Sequence, residues 1–182
     1  MKTAWCFLFF ISVTVAHAQT QEARRFVRYN LRNFDRFFVA PMAEDRIRDV
    51  KTALNRDTIR SEEKHYQEPI RTLVLSGEER AYILSELDKS SQLDEYRQLF
   101  EPGTVIPVAD QKVLFYDKSQ KGLNATEKGD SNWVDFSLPL FIRDHSLCIF
   151  YYWAGSQGRL AVYRRTTDDA WLPWLTVFSG IR

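Results

Sequence analysis

Cysteine is almost missing from this chain of 182 residues: there are two, Cys6 and Cys148. Cys6 falls in a segment read below as a cleaved leader, so the remainder has no partner for an intrachain disulfide. Cys148 sits within Leu147-Cys148-Ile149-Phe150. In such a run a free thiol behaves as a small buried apolar residue rather than an interchain cross-linker. Histidine is scarce as well, with only His17, His65 and His145. A metal site needs three or four converging ligands, and no H-x-x-x-H or C-x-x-C spacing supplies them. No metal and no cofactor are expected. Charge of one sign is also lacking. The net charge is +1, and removing Lys2 with the leader leaves 24 basic residues against 24 acidic ones. That balance gives no basic surface for nucleic acid or an anionic membrane. Neither an internal repeat nor a low-complexity tract is visible, and the longest apolar run is too short for the ~20 residues of a bilayer span.

That run is informative all the same. Lys2 precedes the apolar stretch Ala4-Trp5-Cys6-Phe7-Leu8-Phe9-Phe10-Ile11-Ser12-Val13, and Ala16-His17-Ala18 follows. A positive start, a short apolar centre and an A-x-A site are the parts of a secretory signal peptide. Cleavage is expected after Ala18, leaving one exported domain over 19–182 in the periplasm or outside the cell. A domain of that length buries a core without disulfide staples.

Two textures divide the mature chain. The part over 19–100 is charged and helix-like. Phe26, Tyr29, Phe34, Phe37 and Phe38 recur at spacings of three and four, which predicts an amphipathic helix over 22–38 ended by Ala40-Pro41. A second helix is predicted over 43–54, with Ile47, Val50 and Leu54 on one stripe, and 56–68 reads as irregular. Ile70 to Leu75 reads as extended. Ser76-Gly77-Glu78-Glu79 then offers a capping box, serine at the cap and glutamate three residues on.

Past Gly103 the period changes, and 103–178 reads as mainly β. Val113 to Tyr116 fits either a strand or the end of a short helix. Strands are predicted over 133–142, 146–153, 159–165 and 171–178, joined by Arg143-Asp144-His145, by 154–158 and by 166–169. Short consecutive strands with tight loops make an antiparallel meander. Pro139 confines its strand to an edge, a start or a bulge. The fold class is therefore α+β, N-terminal helices on a C-terminal antiparallel sheet.

Candidate chemistry is thin. Gly155-Ser156-Gln157-Gly158 is not a G-x-S-x-G elbow and lies between strands, so the glycines read as turn geometry. Cys148 and His145 are three apart on a strand, which aims them at opposite faces. Glu62-Glu63, Glu78-Glu79 and Asp168-Asp169 are adjacent pairs, and neighbours do not face each other across a cleft. Asn124-Ala125-Thr126 matches a glycosylation sequon, relevant only in a eukaryotic route. What remains is aromatic. Four of the five tryptophans lie after residue 130. Trp133, Tyr151, Trp153, Tyr163 and Trp171, with Trp174, would make a platform for a sugar or a partner protein if they shared an open face. The alternative, favoured here, is that they pack beneath the N-terminal helices.

Ser137, Pro139 and Phe141, then Arg143-Asp144, Phe150-Tyr151-Tyr152, Gly155 and Gly158, and finally Tyr163-Arg164-Arg165 before Trp171, form a recognisable series. It resembles the C-terminal β-meander of uncharacterised exported proteins from Bacteroidetes. Leu75-Ser76-Gly77-Glu78-Glu79 with Tyr82-Ile83 resembles their upstream helix start. Many such proteins carry a cysteine at the glycine turn, whereas 154–158 has none here, so a site built on it is absent. The resemblance implies a fold and a compartment but no reaction. The expected function is a non-enzymatic periplasmic or secreted binding or structural module, its partner a protein or glycan of the cell envelope. The alternative is a small exported hydrolase whose acidic residues the sequence does not single out.

Overall fold

A computed structural model describes residues 20–62, 70–100, 103–108, 111–119, 132–155 and 157–181. The leader and its cleavage site, His65, the sequon and Ser156 lie outside the described residues. The protein is α+β. Helix α1 spans 20–30. Strand β1 is Arg36–Val39, helix α2 Glu44–Leu54, strand β2 Thr58–Arg60, strand β3 Thr72–Val74 and helix α3 Gly77–Leu87. A 3-10 turn, Asp88–Ser91, leads to α4, Leu93–Leu99. Seven strands follow: β4 Thr104–Val108, β5 Gln111–Asp117, β6 Asn132–Phe136, β7 Leu140–Ile142, β8 Leu147–Ala154, β9 Gln157–Arg165 and β10 Trp171–Ile181.

The main sheet runs β10-β9-β8-β6-β1-β5-β4, with β7 pairing β8 beyond the end of β6. Its pairings are antiparallel except one: β1 lies parallel to β6, Phe38 opposite Trp133. This corrects the expectation of a helix over 22–38. The helix stops at residue 30, and Phe37-Phe38-Val39 enters the middle of the sheet. Three consecutive apolar residues cannot all lie on one face of a helix. In a strand covered on both sides they can all be buried, alternating between faces. Phe37 and Val39 join one apolar cluster and Phe38 another. The stretch after Arg56, expected to be irregular, contributes β2, which pairs β3 antiparallel.

Helices cover both faces of the sheet. On one side Phe26, Val27 and Leu31 of the α1 segment join Tyr96, Leu99 and Phe100 against Phe136, Phe150, Cys148 and Trp171. Phe26 is fully buried and meets Phe150 and Tyr163 edge to face, each with centroids 5.0 Å apart. Such contacts add ~0.5–1.5 kcal/mol each beyond area burial. On the other side Ile47, Val50 and Leu54 of α2 join Ile83 and Leu87 of α3 over Leu147, Ile149, Leu160 and Val162.

The capping box forms as read: Glu79 N donates to Ser76 Oγ at 3.0 Å and Ser76 N to Glu79 Oε2 at 2.8 Å. The predicted strand over 133–142 breaks in two. Pro139, which has no N–H to give, lies in the break, and β7 restarts at Leu140. Buried Ser137 keeps the ladder satisfied across that break. Its N donates to Tyr151 O and its Oγ accepts from Tyr151 N, both at 3.0 Å.

Candidate functional site

The five aromatic residues singled out from sequence do not share one face. Tyr163 and Trp171 are buried on the α1 side. Tyr151 is fully buried on the α2 side, and Trp153 is half-buried next to it. Trp133 is 47% exposed and stacks on Phe38, centroids 4.9 Å apart. Cys148 is fully buried, and burial pushes its thiol well above the usual range, the opposite of what a nucleophile needs. His145 stacks on Phe141. No group of His, Cys, Asp and Glu that could hold a metal occurs among the described residues.

What the fold does gather is a polar niche on the α2 face. In the β6–β8 ladder Asp135 stands opposite Trp153. Tyr151 lies two residues before Trp153, so all three side chains project from the same face. From α2, Arg46 reaches over both rings, its guanidinium carbon 5.2 Å from the Trp153 centroid and 5.9 Å from that of Tyr151. Two buried atoms in this niche have no hydrogen-bond partner, Asp135 Oδ1 and Tyr151 Oη. Buried polar atoms are seldom left so, because each costs about 1–3 kcal/mol.

The electrostatics follow from that burial. Desolvation pushes the Asp135 carboxyl up to about 6 from its ordinary 3.8; the positive charge of Arg46 pulls the other way and Asp45 adds to the rise. The Tyr151 phenol is raised too, by burial first and then by the Asp135 charge. It stays a neutral hydroxyl. Tyr96 gives the contrast. It is equally buried, but its hydroxyl lies 2.9 Å from Ser90 O and 2.6 Å from Phe136 O.

Backbone geometry supports the wall of the niche. Trp153 Nε1 donates to Gly155 O at 2.9 Å. The indole lies across Gly158 of β9, its direct ladder partner. Elsewhere a cleft of about 540 Å³ lies between α2, α3 and the 3-10 turn, with the Lys51–Asp88 ion pair at 2.6 Å in its lining.

Sequence reasoning missed Asp135 and Arg46. Asp135 had a faint signal, a lone charge in Trp133-Val134-Asp135-Phe136. Arg46 had none, being one of several charges on α2. No protein-family model, curated sequence or solved structure matches this chain.

Proposed function

We propose that this is an exported, non-enzymatic binding module of the periplasm or extracellular space, cleaved after Ala18 and related to the exported Bacteroidetes proteins its meander resembles. The observation that carries the binding reading is the pair of unpartnered buried atoms, Asp135 Oδ1 and Tyr151 Oη, beneath Arg46 and Trp153. A fold that tolerates two such groups side by side holds functional material there, since an apolar pair would be cheaper. The leader supports export, and no helix among the described residues is long and apolar enough to cross a membrane.

One observation favours the hydrolase reading. Burial pushes the Asp135 carboxyl up to about 6, with the Asp45 charge adding to the rise, which is the titration a general acid needs. The two readings separate in one experiment. Protein recovered from the periplasm or medium is sequenced at its N-terminus and assayed for glycosidase and esterase turnover, with Asp135→Asn alongside. A start at Gln19 with no turnover agrees with the binding module. Turnover lost in Asp135→Asn replaces it with the hydrolase, and an intact Met1 in the cytoplasm removes the export reading.

A further inference from the structure

We infer that the Asp135–Tyr151 niche binds a hydroxyl group of a neutral saccharide. This rests on the binding reading above and names its ligand class.

The chemistry of the two orphaned atoms narrows the choice. An ionised carboxylate oxygen only accepts hydrogen bonds, and a neutral phenol has an O–H to donate. An alcohol is the simple group that serves both, donating to Asp135 Oδ1 while accepting from Tyr151. An ammonium would satisfy Asp135 but leave the tyrosine proton without an acceptor. A carboxylate or phosphate would accept from Tyr151 and face the charge of Asp135. The surroundings agree. Arg46 brings further donors to the rim for neighbouring hydroxyls, and the half-buried Trp153 presents an aromatic surface for the apolar C–H side of a sugar ring. Tyr151 is fully buried while Asp135, Arg46 and Trp153 are half-buried. Both orphaned atoms are cut off from solvent, so a hydroxyl would reach them only once the cover opens, with the rest of the ring staying at the rim. Arg46 is the cover that must turn aside, and its hold on the two rings is the weak one of a partly exposed cation–π contact.

The test is saturation-transfer NMR on the mature protein with glucose, mannose and N-acetylglucosamine as free sugars. Cellobiose and chitobiose serve as pieces of a glycan chain, and spermidine as the cationic comparison. Transfer to at least one saccharide is expected. It should weaken at least tenfold in affinity in Asp135→Asn and in Tyr151→Phe, and remain in Tyr163→Phe, a tyrosine buried on the opposite face. Thermal melts confirm that each variant is folded. Should Tyr151→Phe melt early, Asp135→Asn decides alone, with the same tenfold loss expected. Binding of free sugars and disaccharides alike indicates a free-sugar site, and binding of disaccharides alone a glycan site; either supports the inference. No transfer to any saccharide by folded protein overturns it, leaving water as the occupant. Transfer that survives both substitutions, or a preference for spermidine, overturns it as well. The export reading fails separately, through the cell fraction and the N-terminus, and a negative titration leaves it standing.

Discussion

Trp153 packs so closely on Gly158 that a Cβ built on Gly158 would lie 1.8 Å from the indole Cε3, far inside van der Waals contact. The same ring reaches Gly180 on β10, where an added Cβ would be 3.9 Å away. The side chain thus crosses two strands on a track of glycines, an aromatic covering backbone that has no side chain of its own. Gly158→Ala should cost about 1–3 kcal/mol by overpacking, and Gly158→Val more. In a Trp153→Ala background most of the added cost of Gly158→Ala should vanish. Chemical denaturation of the four proteins in that cycle measures the coupling; additive losses would mean the contact is not the cause. Gly155 is different. Space around it is open and its φ is +59°, so Gly155→Ala should cost ~1 kcal/mol through backbone strain alone.

Two buried tyrosines should respond oppositely to loss of the hydroxyl. Tyr151→Phe removes an unpartnered group and should leave stability unchanged or raise it by about 1 kcal/mol. Tyr96→Phe removes the donor to the Ser90 and Phe136 carbonyls and should cost about 1–2 kcal/mol. Urea midpoints at neutral pH decide this. Equal losses at both positions would show that Tyr151 has a partner in solution.

Asp135 should make the protein more stable as pH falls through the mildly acidic range. Its folded-state carboxyl titrates at about 6, above the ordinary 3.8. The native state therefore binds the proton first. The contribution is complete below the unfolded value and is lost as pH rises through about 6. Relative to Asp135→Asn, the native protein should gain on the order of 1–3 kcal/mol between neutral pH and about pH 4. Denaturant curves of both proteins across that range measure it, and parallel pH profiles would place Asp135 in water.

Glu79 should act with the opposite sign. Its carboxylate accepts from Arg143 Nε at 2.8 Å while completing the α3 capping box, and the Arg143 bond holds it below the usual value. That stability is present above the ordinary carboxylate range and is lost as pH falls through the lowered folded-state value. Arg143 also donates to Val74 O at 2.6 Å. It thereby ties down a turn in which Arg143, Asp144 and His145 all have positive φ. Glu79→Ala should cost about 1–2 kcal/mol through the lost cap and pair. Most of that loss should be absent at acid pH. A loss that stays constant with pH would assign it to packing.

The capping box, α2, the hairpin turns and the restriction that Pro139 places on its strand were legible in the chain because they rest on local rules, although the strand over 133–142 was read as continuous and the structure breaks it there. A serine three residues before a glutamate, an apolar stripe at helical spacing and a proline without an N–H act within one or two turns of backbone. The charged first half and β-rich second half likewise led to an α+β class. Phe37-Phe38-Val39 was misread because Phe37 and Phe38 continue the three-and-four spacing of Phe26, Tyr29 and Phe34 among arginines; pairing with β5 and β6, far along the chain, decided for a strand. The niche was out of reach for the same reason. Asp135, Tyr151 and Arg46 come from β6, β8 and α2, and each alone is an ordinary residue of its element. Composition and spacing determined which segments could fold. Only the burial of distant residues against one another decided which polar atoms would be cut off from water.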